Sequence, residues 1–238
     1  MFFNSEIGIE LSFFGPWHLL QIFITALVVF LIYFYRKQLR EFKHEKTLRY
    51  IIAGTLLVIE LSLHVWHLAN NDYYIVHMLP LNLCTINVYA SIVIIFSKNK
   101  KVFNIAYFWG FGALLSVLFP DMSYGPDRYR YYQFFYAHMF FLWIYMYMIF
   151  VHDFRPGLKE FKRSAAVLFV LAIGIALPVN LIFGENYMFL LEHGGTPLEI
   201  IHGYGAVSYL IGVILVIIVI MVIWYSPIYW YLKRNNKI

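Results

Sequence analysis

Residues 205–231 read GAVSYLIGVILVIIVIMVIWYSPIYWY, an apolar run that contains no charged side chain. About 20 consecutive apolar residues are enough to cross the hydrocarbon core of a bilayer as a helix, so the run predicts a transmembrane helix. The rest of the chain has a matching composition, because 62% of its residues are hydrophobic and only 13% are charged. Typical globular domains carry about 25% charged residues. A soluble fold of 238 residues cannot bury so much apolar surface, and the composition therefore predicts an integral membrane protein.

Six more apolar runs precede this one along the chain. With it they form the set 15–35, 48–69, 76–97, 103–119, 131–151, 163–184 and 205–231. No repeat and no long linker divides the chain, so we expect residues 1–238 to form a single all-α domain, a bundle of seven transmembrane helices. No basic residue precedes the first run, which argues against a cleaved signal peptide.

The distribution of Lys and Arg predicts the orientation of the bundle. If the N-terminus lies outside, the segments between spans place all of the 18 basic residues on the cytoplasmic side except Arg128 and Arg130. Cytoplasmic segments of membrane proteins retain an excess of Lys and Arg. We therefore expect the C-terminus in the cytoplasm and the protein in the cell membrane. The net charge of +5 then reflects topology and does not indicate nucleic-acid binding.

Polar side chains within the predicted spans concentrate near their outer ends. They are His18, Gln21, Glu60, His64, His67, His77, Asn82, Cys84, Asn87, Asp121, His138, Asn180 and, just before the last span, His202. Polar groups inside hydrocarbon are costly and commonly mark function. The pattern predicts a polar cavity that opens toward the outer leaflet.

Cys84 and His138 form the most informative pair in this set. At a rise of about 1.5 Å per residue, Cys84 lies about 12 Å and His138 about 10 Å below the outer face, on different helices. A thiol becomes a nucleophile near neutral pH only beside a base or a positive group, and histidine is its usual partner. The pair predicts a catalytic Cys–His arrangement, although a small buried core cysteine fits the same observations.

Other polar residues could assist such a reaction. Pro80 is predicted to kink the third span one turn above Cys84. The asparagines Asn82, Asn87 and Asn180 are candidate donors to an oxyanion, and the histidines His64, His67 and His77 are candidates for positioning a substrate.

Two further groups of polar residues each allow two interpretations. Glu60, His64 and His67 share one face of the second span, which is compatible with a metal site or with an internal hydrogen-bonded network. Arg128 and Arg130 could bind an anionic head group, or could pair locally with the nearby acidic residues Asp121 or Asp127. The segment GENYMFLLEHGGTP at 184–197 is predicted to cap the cavity.

Three segments carry a resemblance to a known family. LPLNLC at 79–84, the region of His138 and VNLIFGENYMFL at 179–190 resemble the YwaF-like family of bacterial integral membrane proteins, which is related to the animal transmembrane protein 164. The resemblance implies a cysteine-dependent lipid acyltransferase of the bacterial plasma membrane, with Cys84 as the nucleophile and His138 as its partner. Asn180, Asn186 and Tyr187 match the later motif of that family. The chain departs from the pattern at Asn82, where the family often carries His, and after residue 190.

We therefore expect a lipid acyltransferase or acyl-ester hydrolase that acts at the outer leaflet through a thioester. Its substrate would be a membrane phospholipid or lysophospholipid. No cofactor is expected, because the sequence contains no glycine-rich nucleotide-binding loop. No nucleic acid and no obligate protein partner are implied. The alternatives are a metal-dependent hydrolase built on Glu60, His64 and His67, and a lipid- or ligand-binding protein without catalytic activity.

Overall fold

A computed structural model describes residues 2–76, 78–194 and 198–235, apart from the side chain of residue 202. The described residues confirm the all-α prediction, with one isolated β-bridge between Glu10 and Tyr124. The α-helices are α1 (Pro16–Phe34), α2 (Arg36–Glu41), α3 (Glu45–Ala69), α4 (Leu83–Ser97), α5 (Lys100–Ala106), α6 (Phe111–Leu118), α7 (Tyr129–Phe150), α8 (Leu158–Phe169), α9 (Leu177–Phe183), α10 (Glu199–His202) and α11 (Ala206–Arg234).

Within the described residues, six helical segments are long and apolar enough to cross a membrane. They are Pro16–Phe34, Glu45–Ala69, Lys100–Leu118, Tyr129–Phe150, Leu158–Phe183 and Ala206–Arg234. Each of them overlaps one of the predicted spans. The chain is therefore a multi-pass membrane protein.

The third predicted span differs from the expected one. Helix α4 begins at Leu83 rather than near residue 76, and its 15 residues extend only about 22 Å. Pro80 has no N–H group and disfavours a helical conformation at Leu79, and Asn82 is extended. Pro80 thus lies in the turns before the helix and does not kink it. A seventh full-length span and the orientation of the termini stay predictions.

The helices alternate in direction between two ends of the molecule. At the basic end, Arg40 after α1 donates to the Val151 carbonyl after α7, and Arg49 near the start of α3 donates to the Ile95 carbonyl near the end of α4. At the opposite, N-terminal end, His18 in α1 donates to the Val117 carbonyl in α6. The short α4 therefore follows the same up-and-down order as its longer neighbours.

Helix α7 is the centre of the packing and contacts α1, α3, α4 and α6. Its core-facing residue Tyr145 is fully buried and donates a hydrogen bond of 2.5 Å to the Asn87 side-chain oxygen of α4. Gly110 lies against this ring, because a Cβ there would come within 2.7 Å of Tyr145 Cδ2. The close approach explains why a glycine stands where a 3₁₀ turn, Tyr107–Trp109, joins α5 to α6.

A second interruption lies in the span that α8 and α9 form. Residues Val170–Ala176 adopt a π-helix between the two α-helices. π-Helical turns are rare and frequently occur at functional sites. The π-helical segment lies beside the cavity described next, because Ala172 lines it.

Candidate functional site

A cavity of about 840 Å³ lies between α3, α4, α6, α7, the π-helical segment and α11. Its polar lining consists of Glu60, His64, His67, Asn82, Cys84, Thr85, Ser116, Asp121, Arg130, Gln133 and His138. Apolar residues of α8, the π-helical segment and α11 complete the wall. The cavity is within the size range of ligand sites, and its mixture of polar and apolar walls suits an amphiphile.

Several sequence-predicted site residues share this cavity, and others do not. Glu60, His64, His67, Asn82, Cys84, Arg130 and His138 line it, whereas Asn87, Asn180 and Arg128 do not. The prediction for His77 lies outside the described residues. Those that line the cavity come from three helices, α3, α4 and α7, and from the turn before α4.

Cys84 lies in the first turn of α4, directly after the N-cap and N1 residues. The first N–H groups of a helix have no intrahelical partner, and the Asn82 side chain does not cap them. A negative charge at this position is stabilised by these N–H groups and by the helix dipole. The thiol contacts the Ser116 hydroxyl, with 3.9 Å between Sγ and Oγ.

His138 is held by the backbone of its own helix. Its Nδ1 lies 2.7 Å from the Phe134 carbonyl oxygen, and its ring packs 4.3 Å from the Phe134 ring. A carbonyl can only accept, so Nδ1 carries the proton and Nε2 is the unprotonated nitrogen of the neutral ring. This is the tautomer that a general base requires.

The thiol and the imidazole line the same cavity, but in the described part of the chain they form no hydrogen bond with each other. Cys84 contacts Ser116, and the hydrogen bond of His138 goes to Phe134. In unliganded sites, catalytic hydrogen bonds are often long and tighten only when substrate binds. The arrangement therefore places a nucleophile and a base around one space without a direct bond between them.

Two of the three segments that carry the resemblance, 79–84 and 179–190, meet at this cavity. The Met188 N–H donates to the Asn82 side-chain oxygen over 3.2 Å, and the Tyr187 hydroxyl donates to the Val76 carbonyl. Met188 has a φ of 58°, in the left-handed region that a bulky side chain rarely adopts. The loop after α9 is thus fixed against the turn before Cys84.

Two of the predicted oxyanion donors are already fully used in the structure. Asn87 donates to the Leu83 carbonyl and accepts from Tyr145. Asn180 forms two hydrogen bonds with the Tyr187 backbone, of 2.8 and 3.0 Å. Both asparagines are buried and stabilise the walls rather than facing the cavity. Asn82 alone of the three lines it.

The charged residues of the cavity lie toward the N-terminal end of the molecule. Glu60 is only 4% exposed and interacts with the hydroxyl of Tyr89 and with the charge of Arg130. Arg130 donates to Gln133, and its guanidinium lies 5.6 Å from the Trp66 ring centre. Glu60 and Arg130 form no ion pair, and both side chains line the cavity.

The remaining predictions concern a metal and a second head-group arginine. Among the described residues, no group of three or more His, Cys, Asp or Glu side chains is arranged to hold a metal ion. His67 instead lies 3.2 Å from an Asp72 carboxylate oxygen. Arg128 pairs with Asp127 at 2.7 Å and donates to the Glu6 carbonyl, which is the local pairing that the sequence left open.

Sequence reasoning did not identify three polar residues of the cavity. Ser116 contacts the thiol, Gln133 binds Arg130, and Thr85 follows Cys84 in the first turn of α4. Ser116 and Gln133 lie near the outer ends of predicted spans, so the depth argument that selected the histidines could also have selected them. Position along a span does not reveal which face a side chain occupies.

The sequence model of the TMEM164 family matches residues 13–225 of the chain. An uncharacterized protein of Treponema pallidum (strain Nichols) is 27% identical over 136 residues, which cover 52% of this chain and 50% of that protein. The chain thus spans about half the length of the curated relative it matches. No solved structure shows a significant match. The relation to transmembrane protein 164 is confirmed, while the YwaF-like name stays a prediction: the chain belongs to the TMEM164 family.

Proposed function

We propose that the protein is a membrane-embedded lipid acyltransferase or acyl-ester hydrolase, with Cys84 as the nucleophile and His138 as the base. One observation carries the proposal. The Cys84 thiol lies at an uncapped helix N-terminus, in a cavity that also contains the His138 imidazole with Nε2 unprotonated. Membership of the TMEM164 family supports the same reading.

In the proposed reaction, the thiol proton passes to Nε2 of His138, directly or through one cavity water. The thiolate attacks the ester carbonyl of a lipid, the C–S bond forms, and the ester C–O bond breaks. The departing alcohol takes the proton from the imidazolium. A lysolipid hydroxyl or water, deprotonated in turn by His138, then attacks the thioester and releases the thiolate.

The first turn of α4 offers the oxyanion donors for this reaction. The backbone N–H groups of Cys84 and Thr85 lack helical partners, and the Asn82 side chain lines the same cavity. One such donor is typically worth about 10²–10³ in rate. The earlier expectation that Asn87 or Asn180 fills this role has no support from their hydrogen bonds.

The proposed substrate is a phospholipid or lysophospholipid of the outer leaflet. Arg130 would bind its phosphate, and His64 and His67 would position the head group, because these side chains line the polar part of the cavity. The proposal includes no cofactor, no nucleic acid and no obligate protein partner. Its site in the cell is the bacterial plasma membrane, following the family resemblance.

The test uses purified protein with a phospholipid donor and a lysophospholipid acceptor. Because Cys84 is the single cysteine, an electrophile with a fatty tail labels that thiol alone. We expect Cys84→Ala and Cys84→Ser to abolish acyl transfer. His138→Ala should slow both transfer and labelling by about 10²-fold or more. Full activity in Cys84→Ala would refute the proposal.

A matched control separates catalysis from general damage. His44 is exposed at the basic end, so His44→Ala should transfer and label like the wild type. Thermal unfolding of each variant shows whether the bundle is intact. If His44→Ala and His138→Ala lose activity equally, the base is not His138.

One observation favours a second candidate, a lipid-binding protein without catalysis. Among the described residues the thiol has no hydrogen bond to an imidazole, and the polar group that it contacts is the Ser116 hydroxyl. In that case the lipid should bind to Cys84→Ala and to wild type with equal affinity, and neither should release an acyl group. The transfer assay therefore separates the two functions.

A further inference from the structure

The cavity continues past the thiol toward the basic end, and there its wall is apolar. Val88 lies one helical turn beyond Cys84 in α4, and Ile220 of α11 also lines the cavity, one turn before Trp224. Leu168 and Ala172 form the opposite wall, on α8 and the π-helical segment. The thiol therefore stands where the polar part of the cavity changes into an apolar pocket.

A layer of aromatic side chains closes the far end of this pocket. Trp224 follows Ile220 by one turn, and its indole N–H donates to the Tyr107 carbonyl over 2.9 Å. The Tyr107 hydroxyl donates back to the Trp224 carbonyl over 3.4 Å. Beside them, Tyr225 stacks on Phe161 with 5.6 Å between ring centres. Neither Trp224 nor Tyr107 lines the cavity, so this layer lies behind the floor.

The hydrogen bonds fix α11 to the 3₁₀ turn at the depth where the pocket ends. Two reciprocal bonds join the same two residues, and their rings lie 5.7 Å apart. Buried and packed aromatic groups of this kind do not move aside without breaking many contacts. The floor formed by Leu168 and Ile220 consequently has a fixed position relative to Cys84.

We propose that this apolar pocket, lined by Val88, Leu168, Ala172, Val213, Ile217 and Ile220, is an acyl-chain site that selects straight fatty acyl chains by their length. The carbonyl end of the chain lies at Cys84, and the methyl end meets Leu168 and Ile220. The proposal deepens the proposed function by naming what sets its acyl specificity, and it rests on that function for the role of Cys84.

The selection follows from the hydrophobic effect. Each methylene group that leaves water for an apolar site increases affinity about fourfold. The gain continues until the chain reaches the floor, after which additional methylene groups find no space. Affinity should therefore rise with chain length and then level off or fall at one length.

Two substitutions should move that length in opposite directions. Ile220→Ala removes side-chain volume at the floor and should shift the limit to longer chains. Ala172 is small and buried on the π-helical segment, so Ala172→Phe should fill the pocket and shift the limit to shorter chains. A chain shortened by three methylene groups would lose about 60-fold in affinity.

The experiment measures direct binding of radiolabelled saturated fatty acids, from octanoate to stearate, to the purified full chain. Matched controls lie on the same helices but face outward. Ile223 is 64% exposed and Val170 is 59% exposed, so Ile223→Ala and Val170→Phe should leave the length limit unchanged. If Ala172→Phe does not fold, Ile220→Ala still decides the question, because removing a few atoms rarely prevents folding.

The outcomes separate this proposal from the proposed function. A length limit that Ile220→Ala does not move, or that Ile223→Ala moves equally, would overturn the acyl-chain site. If the limit moves as expected but the wild type transfers no acyl group, the site stands and the proposed catalysis fails. Transfer that shows no dependence on acyl length would refute the site and leave the catalysis intact.

Discussion

The two ends of the molecule each contain a glutamate and an arginine of which one is buried and the other half-buried, but they use them differently. At the basic end, one carboxylate oxygen of Glu45 accepts hydrogen bonds from Arg49 at 2.8 Å, from the Tyr147 hydroxyl at 3.0 Å and from His152 at 2.8 Å. Arg49 also donates to the carbonyls of Ile95 and Phe96 at the end of α4. This set of bonds joins α3, α4 and the end of α7.

At the opposite end, Glu60 and Arg130 form no ion pair although both line one cavity. Arg130 donates to Gln133, and Glu60 lies beside the Tyr89 hydroxyl. A charge that is buried in a membrane protein without a close partner is expensive, and proteins usually keep it for a ligand. Glutamate and arginine can therefore have a structural role at one end and a functional role at the other. The number of hydrogen bonds that these side chains form within the protein distinguishes the two roles.

The orientation of the bundle in the membrane should give the largest effect, because a reporter at a given position lies either in the cytoplasm or outside it. The basic end is predicted to face the cytoplasm, which places the cavity end toward the outside. A reporter enzyme that is active only in the cytoplasm should be active when inserted in the 36–47 segment or fused after α11. Activity of a periplasmic reporter at those positions would reverse the orientation and move the cavity to the inner leaflet.

The two arginines should differ in how much each stabilises the fold. Arg49→Met removes one of the three donors to Glu45 and the donor to two helix carbonyls, so we expect a loss of about 3 kcal/mol in the free energy of unfolding. Arg130→Met removes one hydrogen bond to Gln133 and should cost about 1 kcal/mol. Unfolding in mixed detergent micelles measures both. Equal losses would contradict the distinction between a closed and an open arrangement.

The smallest effect is a dependence on pH at the basic end. Burial lowers the pKa of His152 below its ordinary value, and the hydrogen bond to Glu45 opposes that shift. A histidine whose pKa is lower in the folded state stabilises the fold above the unfolded value, about 6.5, and this contribution is lost as the pH falls below it. The wild type should therefore lose more stability on acidification than His152→Gln. Parallel pH profiles for the two proteins would contradict this assignment.

Sequence patterns predicted most of the architecture because hydrocarbon imposes a simple rule on length and polarity. The span predicted at 15–35 is the helix Pro16–Phe34, and the span at 131–151 is Tyr129–Phe150. The predicted start of the third span was wrong. A proline and an extended asparagine delay the start of the helix, although the sequence there is apolar. A hydropathy pattern indicates which residues lie in lipid, but it does not reveal such local interruptions of a helix.

The site was harder to predict for a related reason. Depth along a helix placed Asn87 and Asn180 with Cys84, but their bonds to Tyr145 and Tyr187 could be known only from the packing. Cys84 was predicted to lie inside a helix. Because α4 begins later than predicted, Cys84 lies at a helix N-terminus instead. Partners and faces depend on tertiary contacts, which one sequence does not display.

The bond between His18 and the Val117 carbonyl joins residues 99 positions apart, and the segment before α1 reaches equally far. The Ile9 N–H donates to Asp127, and Leu11 donates to the Ser123 carbonyl. During synthesis, α1 enters the membrane long before these partners leave the ribosome. It must wait beside the translocation machinery, or loosely in the lipid, until the later helices arrive. The earliest helix of this chain is thus one of the last to be locked, and mutations in the 121–131 region should appear first as defects in the docking of α1.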